Sequence, residues 1–244
     1  MLTVMILAAG RGERMRPLTD TVPKPMLHVG GKPLIVWHLE RLAAWGVRRV
    51  VINHAHLGHV LEQSLGDGSS WGMQIAWSPE GEALETAGGI ALALPLLGDL
   101  PFLVLNGDVF CDLDRASVTD ALSRFNRVSV DPSPVLAHLW LVDNPEHKTA
   151  GDFTLCSDGK VLARPDAAAG QSLTFSGIGL YRAELFADCE RGSKAPLAPL
   201  LRTAMGAQRV SGEHLRGRWV DVGTPQRLAS LDAELKSAQA GERP

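Results

Sequence analysis

Apolar positions recur along this chain in two rhythms. Residues 2–9 are apolar at nearly every position, as a strand covered on both faces requires. Residues 101–108, PFLVLNGD, repeat that run and then turn polar. Residues 47–54 (VRRVVINH) and 73–78 (MQIAWS) read as two further strands. Between them lie segments with helical spacing at 33–45, 56–65 and 86–97. In the first of these Pro33 sits in the opening turn, Leu34, Trp37, Leu39 and Leu42 make the buried side, and Gly46 is the stop. Strands and helices alternating across short turns predict an α/β fold: a doubly wound, mostly parallel, Rossmann-like sheet that binds ligands beyond the C-terminal ends of its strands.

Past residue 114 the texture changes. A helix to about residue 126 precedes three strand-like runs at 134–144, 152–164 and 172–182, and Ser157-Asp158-Gly159 reads as a hairpin turn. These predict a small mixed or antiparallel extension. A helix at 195–205, a strand at 218–222 (RWVDV) and a helix from 225 to about 238 follow, and the final GERP is expected to fray.

Composition narrows the classes of function. Of 244 residues, 45% are hydrophobic and 21% charged, which is ordinary for a folded domain. A formal charge of −3 and the lack of an aromatic-basic stripe argue against a nucleic-acid partner. The apolar run at 2–9 is too short for a signal peptide or membrane span. Cys111, Cys156 and Cys189 are odd in number and widely spaced, so reduced thiols in a cytoplasmic protein are expected rather than disulfides or a zinc site.

Charge matters most in residues 5–26, MILAAGRGERMRPLTDTVPKPM. Gly10 and Gly12 allow a tight turn with open backbone N–H groups. Arg11, Arg14 and Arg16 can place guanidinium groups around phosphate oxygens, and Lys24 between two prolines is a cation on a stiffened loop. The stretch lacks the third glycine of a dinucleotide fingerprint and the Gly-Lys-Ser/Thr ending of a Walker loop. Asp108 and Asp221 each end a strand-like run, in LNGDV and RWVDVGT. Two carboxylates facing a basic loop suit a Mg2+-triphosphate complex, although either alone could cap a helix or bind water. Asp112 and Asp114 read as turn and helix-cap residues, while Asn53, His54 and His214 are further polar site candidates, each alone more often structural than catalytic. Gly88 and Gly89 open a helix whose first-turn N–H groups are free for an anion or carbonyl.

LAAGRGERMRPLTDTVPKP resembles the signature of the sugar-phosphate nucleotidyltransferases, LAAGxGTRxxPLTxxxPKP, with Glu13 where threonine is usual. The resemblance implies that Leu7, Ala8, Ala9, Gly10 and Gly12 cradle a nucleotide, and that Arg14 and Lys24 are catalytic, on the triphosphate and the attacking phosphate. It implies Asp108 and Asp221 as metal ligands for Mg2+, and Glu80, Gly81, Thr86, Gly88 and Asn106 as nucleotide contacts. ETAGGI departs from the usual GTA-containing stretch. With INHAHLG, SPEGE and LVDNPEHKTAGDF it looks most like the uridylyltransferase branch acting on N-acetylmuramate 1-phosphate in peptidoglycan sugar recycling. Asp152, Ser176 and Gly177 are the implied sugar contacts, and UTP and an amino-sugar 1-phosphate the implied substrates. On that reading residues 1–244 form one domain: 1–112 mainly for the nucleotide, 113–224 mainly for the sugar, and 225–244 a C-terminal helix and tail. Transfer to glucose or mannose 1-phosphate from UTP, dTTP or GTP remains open, as does a nucleotide-binding regulatory module without turnover.

Overall fold

The structure, a computed structural model, describes residues 2–125, 134–163 and 168–241. The expected end of a helix at residue 126, Arg164 of the third extension run and the last three residues of the chain lie outside them.

β1 (Thr3–Leu7) is followed by a loop of three 3-10 turns, a small hairpin of β2 (His28–Val29) and β3 (Lys32–Pro33), and α1 (Leu34–Ala44). Then come β4 (Arg49–His54), α2 (Gly58–Leu65), β5 (Gln74–Pro79), α3 (Glu85–Leu97), β6 (Phe102–Asn106), β7 (Val109–Cys111) and α4 (Arg115–Phe125). The second half holds β8 (Ala137–Val142), β9 (Phe153–Cys156), β10 (Val161–Leu162), β11 (Gly170–Tyr181), α5 (Leu197–Gly206), β12 (Val210–His214), β13 (Trp219–Asp221) and α6 (Pro225–Gly241).

The main sheet runs β5-β4-β1-β6-β11-β8-β12. β5, β4, β1 and β6 are mutually parallel, as the crossover helices between them demand. β11 joins β6 and β8 antiparallel, and its first residues leave the sheet to pair with β9. β9 and β10 form the expected hairpin, with Gly159 at φ +81 supplying its turn. The extension is therefore mixed, built around one long strand.

Alternation along β1 assigns its side chains to two layers. Val4 and Ile6 join the core under α1, α2 and α4, whereas Met5 faces the core under α3 and α5. A third, smaller cluster joins Met15, Val29, Leu34, Phe110, Val222, Leu231 and Leu235. It locks the 13–26 loop, β7 and α6 into one unit, and so fixes the cationic loop against the acidic strand ends. The pattern foresaw neither β12 nor the partner of RWVDV. β13 pairs with β7 outside the main sheet.

Candidate functional site

The loop after β1 is organised by its backbone. Ala8 N–H donates to Asn53 Oδ1 at 2.9 Å, and Gly107 N–H donates to the Leu7 carbonyl at 2.9 Å. Gly12 is left-handed at φ +70, and a Cβ there would stand 2.9 Å from Thr19 Cγ2, so the turn demands glycine. Of the three arginines expected around phosphate, two are committed elsewhere. Arg11 donates to the Thr19 carbonyl at 2.7 Å and to Asp20 at 3.1 Å, and Arg16 donates to Asp20 at 2.8 Å. Asp20 gathers them, and the Arg11 hydrogen bond first of all holds its carboxyl below the usual range. Arg14 has no hydrogen bond or ion pair among the described residues and lies beside Gly223, where an added Cβ would meet its Nη2 at 3.2 Å and Asp221 Oδ2 at 3.1 Å.

Lys24 is buried, with its ammonium 2.5 Å from Asp108 Oδ2. Burial of the charge is tolerable because the carboxylate is there. Asp108 follows β6, and β7 then turns back to pair with β13, which sets Asp221 opposite Val109. Val222 N–H donates to the Asp108 carbonyl at 3.0 Å, tying the two acidic strand ends together. Arg227, at the start of α6, donates from one nitrogen to Asp221 Oδ2 at 2.7 Å and to the Asp221 carbonyl at 3.0 Å. The sequence reading missed Arg227; its only signal was a cation six residues past Asp221. Asp112 pairs with Arg218, and Asp114 caps α4 by accepting from Ser117 N–H, in the structural roles expected of them.

Two cavities open beyond the strand ends. The first, of about 220 Å3, is walled by Leu7, Ala8, Ala9, Gly10, Lys24, Asn53, Glu80, Thr86, Asn106 and Asp108, among others. Glu80 is braced, accepting from Asn53 at 2.5 Å and from Leu84 N–H at 2.8 Å. Gly81 turns the chain at φ +70 but lies outside this wall. Gly88 corrects an expectation: its N–H donates to the Ala195 carbonyl at 3.0 Å, and a Cβ would stand 2.4 Å from the Ser193 carbonyl oxygen. It packs α3 against the 193–195 loop and has no free donor for a ligand.

The second cavity, of about 460 Å3, shares Leu7, Glu85, Thr86 and Asn106 with the first. Its far wall adds Lys148, Asp152, Gly177 and the apolar Phe153, Phe175, Leu197 and Leu201. Gly177 is left-handed at φ +80 in a bulge of β11, and a Cβ would stand 2.5 Å from Asn106 Nδ2. Its absent side chain makes room for Asn106. Ser176 is the second correction. It is buried, and its hydroxyl donates to the Trp140 carbonyl at 2.6 Å, so it braces the bulge and does not reach the cavity. Trp219 packs below, donating to the Ser176 carbonyl at 2.9 Å. His54 pairs with Glu62 and His214 with Asp143, outside both cavity walls. Lys148 and Glu85 were missed. Glu85, where the family signature usually carries glycine, holds a left-handed φ of +62 at the start of α3.

The chain belongs to the nucleotidyl transferase family, whose model matches residues 3–238. It is 56% identical over 233 residues to an N-acetylmuramate alpha-1-phosphate uridylyltransferase of Neisseria meningitidis serogroup B, covering 95% of this chain and 97% of that one. A protein of the same name from Caulobacter vibrioides is 37% identical over 243 residues, with 97% of each chain covered. The crystal structure of a UDP-glucose pyrophosphorylase complexed with UDP-glucose superposes with a TM-score of 0.73 at 16% identity, covering 100% of both chains, which establishes a shared fold. No helix among the described residues is long and apolar enough to cross a membrane.

Proposed function

We propose that this enzyme transfers UMP from UTP to N-acetylmuramate alpha-1-phosphate, releasing pyrophosphate, as a cytoplasmic step in peptidoglycan sugar recycling. The observation that carries the reading is near-full-length 56% identity to the Neisseria uridylyltransferase. The geometry supports the chemistry. A nucleotide lies in the smaller cavity over residues 7–12, with its base toward Glu80 and Thr86, and the sugar lies in the larger cavity beside Asp152 and Gly177. Residues 1–112 thus serve mainly the nucleotide and residues 113–224 mainly the sugar.

An ionised oxygen of the sugar phosphate attacks the α-phosphorus of UTP. One P–O bond forms, the bond to the β-phosphate breaks, and pyrophosphate leaves. No protein nucleophile is needed, so alignment and charge neutralisation supply the rate. Lys24 steadies the acceptor phosphate and α-phosphate. Arg14 has no partner to give up and receives the departing pyrophosphate.

Asp108 and Asp221 suit Mg2+. Each keeps one carboxylate oxygen without a hydrogen-bond partner among the described residues. Mg2+ takes few protein oxygens and completes its shell with water and phosphate oxygens, so two carboxylates suffice to hold it. When bound, Mg2+ would neutralise charge on the reacting phosphates.

Pyrophosphate release with Mg2+ tests the reading, crossing UTP, dTTP and GTP with N-acetylmuramate, N-acetylglucosamine, glucose and mannose 1-phosphates. UTP with N-acetylmuramate 1-phosphate should dominate. A larger kcat/KM for glucose or mannose 1-phosphate would keep the transferase and discard this acceptor.

A further inference from the structure

On the reading just given, the acceptor differs from the other amino-sugar and hexose 1-phosphates by a lactyl ether, which carries a carboxylate and a methyl group. The larger cavity has a matching composition. Its far wall is mostly apolar, and Lys148 is the one cation among its described lining residues. We propose that Lys148 determines sugar specificity by pairing with the acceptor's carboxylate.

The placement of this lysine is built. Lys148 ends a 3-10 turn at Glu146–Lys148, four residues before Asp152. Asp152 Oδ2 accepts Phe175 N–H at 3.0 Å, which anchors the carboxylate to β11. Its two oxygens stand 2.6 and 2.7 Å from Lys148 Nζ. Asp152 therefore holds the ammonium at the cavity wall. An ammonium has three donors, so it can bind Asp152 and a second carboxylate together. The Lys148 side chain is 45% exposed in the open cavity, so its charge carries little desolvation cost before a ligand enters. Filling the cavity would remove that water and strengthen the new pair. Glu85, the other acid of the wall, sits at the junction with the nucleotide cavity and is exposed. The apolar Phe153, Phe175 and Leu201 offer contact to the lactyl and N-acetyl methyl groups.

Two product nucleotides isolate this contact, because UDP-N-acetylmuramate and UDP-N-acetylglucosamine differ by the lactyl group alone. Equilibrium binding by calorimetry on the wild type, Lys148→Met and Lys148→Arg is the experiment. The wild type should prefer the lactyl nucleotide. Lys148→Met should shrink the ratio of the two affinities by about tenfold or more, the worth of one charge-assisted hydrogen bond. Lys148→Arg should retain most of the ratio. An unchanged ratio in Lys148→Met overturns the inference, as does a parallel loss of both affinities, which would assign Lys148 to holding Asp152. A wild type without preference would strike the N-acetylmuramate reading itself, an outcome visible before any variant is made.

Discussion

Arg14 and Lys24 are both cations of one loop, yet they are held in opposite ways. Lys24 is nearly buried and is tied to Asp108, whereas Arg14 is exposed and is tied to nothing among the described residues. Removing exposed Arg14 breaks no hydrogen bond or ion pair among the described residues, so Arg14→Ala should change stability by no more than about 0.5 kcal/mol. If Arg14 receives pyrophosphate, kcat should still fall by about a hundredfold or more, the usual loss for a preorganised charge at a transition state. Lys24→Ala should cost at least as much rate, since it strips the acceptor's partner and frees Asp108 together. Steady-state kinetics beside thermal unfolding reads both effects, and near-normal kcat in both variants would defeat these roles. The run of arginines was legible in the sequence and the family signature singled out Arg14, but what occupies the other two was not legible. Arg11 and Arg16 carry the same charge in the same loop, and only the fold turns them onto Asp20.

At the scale of elements, the site is placed by two devices that periodicity does not reveal. The first is the β7–β13 ribbon, which sets Asp221 beside Asp108 through pairing between distant segments. The sequence showed both acids ending apolar runs; nothing local to either named its partner. The second is the bulge of β11, where the register with β8 shifts between Phe175 and Ile178. Ser176 turns inward to the Trp140 carbonyl while Gly177 lines the larger cavity, whereas the family resemblance implied a sugar contact for both. Gly177→Ala would force a side chain into left-handed backbone and into the Asn106 amide. A loss of about 1–3 kcal/mol in stability is expected, with a rise in KM for the sugar 1-phosphate larger than that for UTP. Urea unfolding and initial rates measure the two, and an alanine variant as stable as the wild type would show that the bulge relaxes freely. β12 escaped notice for another reason: VSGEH has a glycine and two charged or titratable residues in five positions, because an edge strand buries few side chains.

For the molecule as a whole, that edge strand explains how the extension is held to the layered core. Glu213 of β12 meets Ser117 and Arg124 of α4, and Trp140 of β8 donates to it at 2.7 Å, with His138 3.7 Å away. One carboxylate thus joins a helix and two strands, and it lines neither of the two cavities. Burial alone would raise its pKa, but the nearby His138 ring and the hydrogen bonds donated by Ser117 and Trp140 outweigh burial and lower it from 4.5 to about 2. A carboxyl whose pKa is depressed on folding stabilises the native state above its unfolded pKa. That contribution fades as pH falls from about 4.5 toward 2. Glu213 is only partly buried, so solvent screening leaves the contribution below what the full shift would give, on the order of 1–2 kcal/mol. Glu213→Gln keeps the shape and removes the titration. The variant should be less stable than the wild type at pH 7, and the gap should narrow when urea unfolding is repeated at pH 4 and pH 3. Its kcat at pH 7 should stay close to wild type, since the network stands apart from the reacting groups. Unfolding curves separated by the same amount at every pH would mean that the Glu213 charge contributes nothing, and that the extension is held by its strand pairing and apolar contacts without it.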